Sequence, residues 1–430
     1  MKRALFEFIY VAGPKFSSGA LALGLNVVLM RFFAPDQFGV YSLCVTAILL
    51  AEAIIGSPFD MAIVRLCTSQ RDSMSEQTLS FERSALIIKL FLALGLTVLL
   101  VLAAESLNHR VFQNLGSPQL ILYSCLAIFA MLLVRSSQVH LQIRRQFPLY
   151  GLVDLIQMAI KFGGIALVLI FLEPTLESVL IFFLLAPGIA FIVSQFTVSR
   201  ELNTAWRTNR NSTRTLLDLV KWFFATCALG ALINRLDVFS LATLSTISEV
   251  GIYSGGFVFA MIPEMLGAYL AVVVSPRIMP YCKSGRFLRF FVRTQRLLIL
   301  AAVVAYFILW LAWDFIGLFL LPESYLKSAE IIFILLPGTL VTMATFPLAM
   351  PFVMFVKRRF LFIMDCISLP VLCALLYFIV PEFGGVGAAW VTCGSLAIRG
   401  IIVQISAWNW ARMERIPFDI EAVHEKGCCG

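Results

Sequence analysis

Charge is what this chain has least of. Only 13% of its 430 residues are Asp, Glu, Lys or Arg, against 60% hydrophobic, and the mean hydropathy is +0.92. A soluble domain carries about 25% charged residues, so that class is excluded. Histidine is scarce, with His109, His140 and His424 the full set. There is no Gly-Lys-Ser/Thr phosphate loop and no His-Glu-x-x-His, which leaves ATP hydrolysis and zinc catalysis without support. The ten cysteines lack metal-ligand spacing, and Cys44, Cys125, Cys227 and Cys373 stand inside apolar runs, where a thiol is a small hydrophobe. No metal or cofactor is called for, and the residues point to no enzyme. Long polar segments are missing too. No connector exceeds about 25 residues, well short of the ~50 an independent domain needs.

What the chain has instead is apolar runs of about 20 residues from end to end, the length that crosses a ~30 Å hydrocarbon core. With no water in that core to satisfy the backbone, each run is expected to be a helix. The alternating ten-residue segments of a membrane β-barrel are not seen. Twelve spans follow, near 8–30, 39–60, 85–104, 119–139, 150–172, 177–198, 217–242, 250–275, 293–313, 329–352, 360–380 and 386–408. The first has no small-residue cleavage site and reads as a retained span. About 25 Lys and Arg fall in connectors on the Lys2-Arg3 side, and about three (Arg31, Arg110, Lys327) on the other. This positive-inside bias puts both termini in the cytoplasm. The net charge of +8 is therefore a topology signal, with contact to anionic lipid as a second use. Nucleic acid binding has no support.

One pattern occurs twice. The connector Arg31 to Gly39, followed by Val40-Tyr41-Ser42, returns as Ser248-Glu249-Val250-Gly251, followed by Ile252-Tyr253-Ser254. Gly39 and Gly251, Tyr41 and Tyr253, Glu52 and Glu264, and Arg65 and Arg277 all stand 212 residues apart. The cluster Arg144-Arg145-Gln146-Phe147 returns as Lys357-Arg358-Arg359-Phe360, 213 residues on. The chain reads as two parallel six-helix halves, residues 1–210 and 211–430, the second ending in a short cytoplasmic tail.

Ionisable residues far inside a span are costly in lipid and face a partner or a wet cavity. They are Lys15, Glu52, Arg135, Asp154, Lys161, Arg235, Asp237, Glu264, Asp365 and Arg399. Arg135 and Asp154 also suit an interface, where side chains snorkel. Arg235 and Asp237, two apart on a helix, are expected on different faces. Glu52 and Glu264 are as credible as shared packing anchors as they are as proton carriers. Breaks are expected at Gly56-Ser57-Pro58, at Ile262-Pro263, and at Pro337, Pro347 and Pro351, since proline removes a backbone hydrogen bond.

Arg31, Pro35, Phe38, Gly39, Tyr41 and Ser42, with Asn234-Arg235-Leu236-Asp237, Val250-Gly251-Ile252-Tyr253 and Gly384-Gly385-Val386-Gly387-Ala388-Ala389-Trp390, resemble a known family. It is the polysaccharide-transport branch of the multidrug/oligosaccharidyl-lipid/polysaccharide (MOP) exporter superfamily, the Wzx-type O-antigen and exopolysaccharide flippases. The resemblance covers nearly the whole chain. It implies two six-helix bundles around a cavity that opens alternately to each side. It implies transport of an undecaprenyl-diphosphate-linked sugar repeat unit from the cytoplasmic to the periplasmic leaflet of the bacterial inner membrane, with a polysaccharide polymerase or chain-length machinery as a possible partner. Lys15, Lys161, Arg235, Arg399, Arg135 and Asn234 are the candidates for holding diphosphate and sugar, since a diphosphate wants several cations in a low-dielectric cavity. Asn26, Tyr253, Trp222 and Trp390 are candidate sugar walls. Glu52, Asp60, Asp237, Glu264 and Asp365 are candidates for coupling to a proton or sodium ion. A MATE-like drug/cation antiporter stays open as an alternative, although it favours acidic cavities. So does a polytopic polymerase or ligase, although those carry a large periplasmic loop. Lipid II flippases carry two extra spans not found here.

A reporter fused after Arg145 or Arg359 is expected to read as cytoplasmic, and one after Gly116 or Glu323 as periplasmic. A periplasmic signal from the Lys357 connector would refute the twelve-span reading.

Overall fold

The computed structural model describes residues 2–68, 76–144, 146–171, 174–196, 210–268, 270–271, 287–355 and 358–412. These residues are overwhelmingly helical, with no strand among them. The basic connectors holding Arg71, Arg145, Arg200, Arg277, Lys357 and Arg415 lie outside the described residues.

Helix α1 runs Lys2–Phe32 and α2 Pro35–Ala51, continued by a π-helical turn Glu52–Gly56 and by α3 Ser57–Thr68. Next come α4 Glu76–Leu102, α5 Ala104–Arg110, α6 Pro118–Ile143, α7 Phe147–Phe171 and α8 Leu176–Gln195. The later residues form α9 Arg210–Ile233, α10 Leu236–Leu244, α11 Ile247–Ala260, α12 Ile262–Ala268, α13 Phe287–Leu320, α14 Lys327–Phe355 and α15 Arg358–Arg412. Nine described helices are long and apolar enough to cross a membrane, and the bent pair α11–α12 makes a tenth. The chain is thus an all-α, multi-pass membrane protein. The 55 residues of α15 make two passes. Asp365 and Arg399 meet at 2.9 Å, yet in one straight helix they would be about 50 Å apart. The chain reverses at Gly384, whose φ of 53° suits a residue without Cβ. Beyond the turn, the Gly385 N–H donates to Glu249 Oε2 at 2.8 Å. Counting the two arms of α15 separately gives eleven among the described residues, against twelve expected; the first expected span, 8–30, falls within α1.

Local sequence explains the helix starts. Pro35 and Pro118 occupy first-turn positions where no N–H is needed. Ser117, Thr175 and Thr246 cap the helices that follow them, their hydroxyls accepting from the N–H of Leu120, Ser178 and Glu249. The breaks are equally local. Pro58 cannot donate to the preceding turn, and the helix widens to π geometry over Glu52–Gly56. Pro263 does the same to the paired span, which bends by 40° between α11 and α12. Pro337, Pro347 and Pro351 were expected to break the tenth span; instead α14 runs through all three. Inside a packed bundle, neighbours and local adjustment satisfy a carbonyl freed by proline.

A close backbone approach joins α2 to α11. A Cβ on Gly39 would lie 2.2 Å from the Ile247 carbonyl oxygen, and one on Gly251 1.8 Å from the Pro35 oxygen. Pro35 and Ile247 are themselves 212 apart, so each glycine meets the counterpart of the other's partner, as a local two-fold requires. Ser42 donates to Ser254 across the same seam at 2.7 Å. Membrane helices have no hydrophobic drive to associate, so backbone contact between small residues and hydrogen bonds such as this one (about 0.6 kcal/mol each) carry the association. Nearby, Tyr325 donates to the Phe33 carbonyl at 2.9 Å, and Gln113 donates to the Ser245 carbonyl at 2.7 Å. The main apolar core extends from Leu25 to Cys393 across this seam.

Gly251→Ala is expected to lower the melting temperature of the detergent-purified protein, overpacking of this kind costing about 1–3 kcal/mol. Gly163→Ala, where an added Cβ meets nothing within 4 Å, is expected to leave it unchanged or raise it. Equal melting of the two variants would contradict the close backbone contact.

Candidate functional site

A cavity of about 650 Å³ lies between α1, α2, α7 and α8 on one side and α9 to α12 with both arms of α15 on the other. Its walls are mostly apolar, with Asn26, Ser42, Asn234 and Ser395 among the polar exceptions. That volume sits inside the ~300–1,000 Å³ range of small-molecule pockets.

Three of the expected cations line it: Lys161, Arg235 and Arg399. Lys161, on α7, is 6% exposed and holds its Nζ 3.8 Å from the centre of the Phe183 ring. The Arg235 guanidinium lies 5.7 Å from the Phe257 ring. Among the described residues neither side chain makes a hydrogen bond or a salt bridge. In each case the ring leans on one of the paired tyrosines, Phe183 on Tyr41 at 5.6 Å and Phe257 on Tyr253 at 5.8 Å. A cation over a ring face is held by the ring quadrupole, by ~2 kcal/mol or more once desolvated, and its N–H groups stay open to the cavity. Arg399 differs, because Asp365 on the other arm of α15 faces it at 2.9 Å. Asp365 Oδ1 has no hydrogen bond, so that contact is an ion pair off the N–H axis.

Arg235 and Asp237 share the cavity because the helix stops between α9 and α10, with Arg235 as the non-helical residue at φ −133°. The expectation of different faces assumed an unbroken helix, and the break overturns it. Asp237 itself is 4% exposed and saturated. Its Oδ1 accepts from the Val238 N–H at 2.8 Å, while Oδ2 accepts from Tyr253 Oη and from Thr392 at 3.4 Å. It ties α10, α11 and α15 together. Glu264 also lines the cavity, just past the α11–α12 bend, with Arg399 and Arg235 as its cationic neighbours. Asn26 and Asn234 are lining residues as well, Asn26 donating its amide back to the Ala22 carbonyl at 2.8 Å.

The remaining candidates lie elsewhere. Lys15 does not line the cavity; its Nζ is 4.9 Å from the Tyr150 ring. Arg135 belongs to a network within the first 210 residues, donating to Gln138 at 2.8 Å and approaching Glu52 at 3.7 Å and Asp154 at 4.0 Å. Gln138 closes the loop by donating to Asp154 at 3.1 Å. Glu52 thus has an arginine beside it, as Glu264 has. Trp222 and Trp390 are 72% and 62% exposed on the outer surface. The aromatic walls are Phe38, Tyr41, Phe183 and Phe257 instead, while Tyr253 supports from behind.

Two buried pairs were not singled out from the sequence. Lys89, 1% exposed, donates to Asp60 and reaches Ser136 at 3.5 Å, and His140 meets Glu82 at 2.8 Å. Lys89, Glu82 and His140 fell at predicted span ends, where charge is expected. The usable signal was that Glu82 and Lys89 lie about two turns apart on one long apolar helix, with His140 on another. No group of three or more His, Cys, Asp or Glu able to hold a metal occurs among the described residues.

This fold is shared by all-helical transporters of the MOP superfamily. A family model described as polysaccharide biosynthesis protein matches residues 7–281, and the chain belongs to that family. No curated protein sequence matches. Solved structures of similar fold include a lipid II flippase MurJ in an inward closed conformation, with TM-score 0.75 and 16% identity, covering 93% of this chain and 87% of that one. An inward-facing MATE multidrug transporter has TM-score 0.66 and 13% identity, over 95% and 97% of the two chains. A MOP superfamily transporter from Pyrococcus furiosus, described as having a binding pocket of reverse polarity, has TM-score 0.64 and 13% identity over 95% of each chain.

Tyr253→Phe leaves Asp237 Oδ2 with Thr392 alone and is expected to cost about 1–3 kcal/mol, the range for an under-satisfied buried group. Thr392→Val, removing the longer bond, is expected to cost less. The reverse order in thermal unfolding would refute Asp237 as the anchor.

Proposed function

We propose that this protein is a flippase that moves an undecaprenyl-diphosphate-linked oligosaccharide repeat unit across a bacterial inner membrane by alternating access. In this reading residues 1–210 and 211–430 are two related halves, and both termini are cytoplasmic. The observation that carries the proposal is the pair of cations, Lys161 and Arg235, that line one cavity from opposite walls on aromatic rings, with no salt bridge among the described residues. A diphosphate brings negative charge that needs several N–H donors in a place where water is scarce. Two aromatic-backed cations and the open edge of Arg399 supply them, while Asn26 and Asn234 suit sugar hydroxyls. Family membership and the shared fold support the transporter class.

A drug/cation antiporter would need an acidic group free to meet its cargo. Here Asp237 is saturated and Glu264 has arginines for neighbours, so the cavity favours an anion. A polymerase or ligase reading finds no catalytic cluster among the cavity residues. The buried carboxylates Glu52, Asp60, Asp237, Glu264 and Asp365 remain the candidates for ion coupling. Lys15 and Arg135, outside the cavity lining, take no part in holding the headgroup in this reading.

In a strain lacking this protein, lipid-linked repeat units are expected to accumulate on the cytoplasmic face while their synthesis continues. Arg235→Ala is expected to abolish or greatly reduce complementation at native expression, with Lys161→Ala similar but milder. Arg235→Lys is expected to keep much of it, because a mobile diphosphate responds to point charge more than to a fixed fork. Normal export from both alanine variants would assign these cations to packing.

A further inference from the structure

Beside the central cavity lies a second void of about 320 Å³, formed by the two arms of α15. Its lining on the first arm is Met364, Ser368, Val371, Leu372, Leu375 and Ile379, spaced so that they form one helix face. Trp390, Val391, Gly394, Ser395, Ile398 and Ile402 give the matching face of the second arm. From 364 to 379 the face is about 22 Å long at 1.5 Å per residue. The void is therefore a mostly apolar groove along a helical hairpin. Val371, Trp390 and Ile398 are each more than half exposed, so its outer side opens toward lipid. Its inner side adjoins the central cavity, with Leu372, Ser395 and Arg399 lining both. At the boundary between the central chamber and this groove stands a cation, Arg399.

That arrangement matches an amphiphile whose anionic group and long apolar chain lie in different compartments. We infer that the groove between the arms of α15 holds the polyprenyl chain of the transported lipid while its diphosphate sits in the central cavity beside Arg399. The inference rests on the flippase reading and adds the location of the tail. Charge complementarity at Arg399 selects a substrate with an anion at the end of its chain. Gly394 gives the groove its depth: an added Cβ there meets nothing within 4 Å, so the space over it is available to a ligand. The Asp365–Arg399 ion pair fixes the guanidinium at the mouth of the groove rather than letting it swing into the main chamber.

Gly394→Phe would fill the groove with an apolar ring and leave the central cavity untouched. The probes are a long-chain polyprenyl diphosphate and geranyl diphosphate, titrated against the full-length protein in nanodiscs. Wild type is expected to bind the long-chain probe at least about tenfold more tightly, since each buried CH₂ adds ~0.8 kcal/mol. Gly394→Phe is expected to erase that difference while keeping geranyl diphosphate affinity unchanged. Ile402→Trp, obstructing the other end of the groove, is a second variant with the same expected outcome should Gly394→Phe fail to fold. If both probes bind wild type equally, or the variants weaken both alike, the groove does not hold the substrate chain and the flippase reading survives. The groove is likewise ruled out as the tail site if the variants change neither probe, which would leave it to an acyl chain of the bilayer. If neither probe binds wild type, the flippase reading fails and the inference with it.

Discussion

Inside a bilayer a polar group has no water to turn to, and nearly every unusual feature of this molecule answers that constraint. Backbone groups meet it by becoming helix. Buried charged side chains meet it by pairing, as Lys89 does with Asp60, Arg135 with Glu52 and Asp154, and Arg399 with Asp365. Asp237 meets it with three donors from three parts of the chain. Lys161 and Arg235 answer differently. Each is held on an aromatic face rather than by an anion, which steadies the charge without neutralising it. In a low-dielectric chamber an unpaired cation attracts cargo more strongly than one, such as Arg399, that shares its field with a carboxylate.

The same constraint shapes how the helices meet. Without a hydrophobic drive, α2 and α11 associate through backbone contact at Gly39 and Gly251 and the hydroxyl pair Ser42–Ser254. That contact leaves little freedom at one end of the interface. Just beyond it, both spans lose regularity, α2 through the π turn at Glu52–Gly56 and α11 through the bend before Pro263. Each irregularity puts a glutamate, Glu52 or Glu264, close to an arginine. A rigid crossing followed by a yielding segment is a geometry in which the helices can splay on one side while the other stays fixed.

Much of the fold was legible in the sequence because its signals are local. Apolar length gives the spans, Pro35 and Pro118 give helix starts, and Pro58 and Pro263 give breaks. The 212-residue offset is a long-range signal, and it marked the residues that touch, Gly39 with Gly251 and Ser42 with Ser254. The cavity was less legible. Lys161, Arg235 and Arg399 stood out by their cost in lipid, but so did Arg135, and nothing in spacing says that Arg135 has Glu52 and Asp154 around it. Trp222 and Trp390 were read as sugar walls on residue type alone, and their rings face outward. Tertiary partners decide such cases, and one sequence without relatives does not encode partners in its periodicity. Pro337 and Pro347 make the same point in reverse, since their helix continues where local chemistry favours a break.

The α9–α10 interruption shows why chemistry and breakage coincide. A continuous helix would set Arg235 and Asp237 about 200° apart, one of them toward lipid or a neighbouring helix. Ending the helix at Ile233 and restarting it at Leu236 lets both reach the chamber. It also gives Asp237 the positive end of a new helix, where a carboxylate is favoured. The acid is thereby retained as an anchor, and the arginine two residues earlier is left without it. Had Asp237 paired with Arg235, the chamber would hold a neutral salt bridge. Because backbone N–H, tyrosine and threonine satisfy the acid instead, the guanidinium keeps its charge for whatever enters.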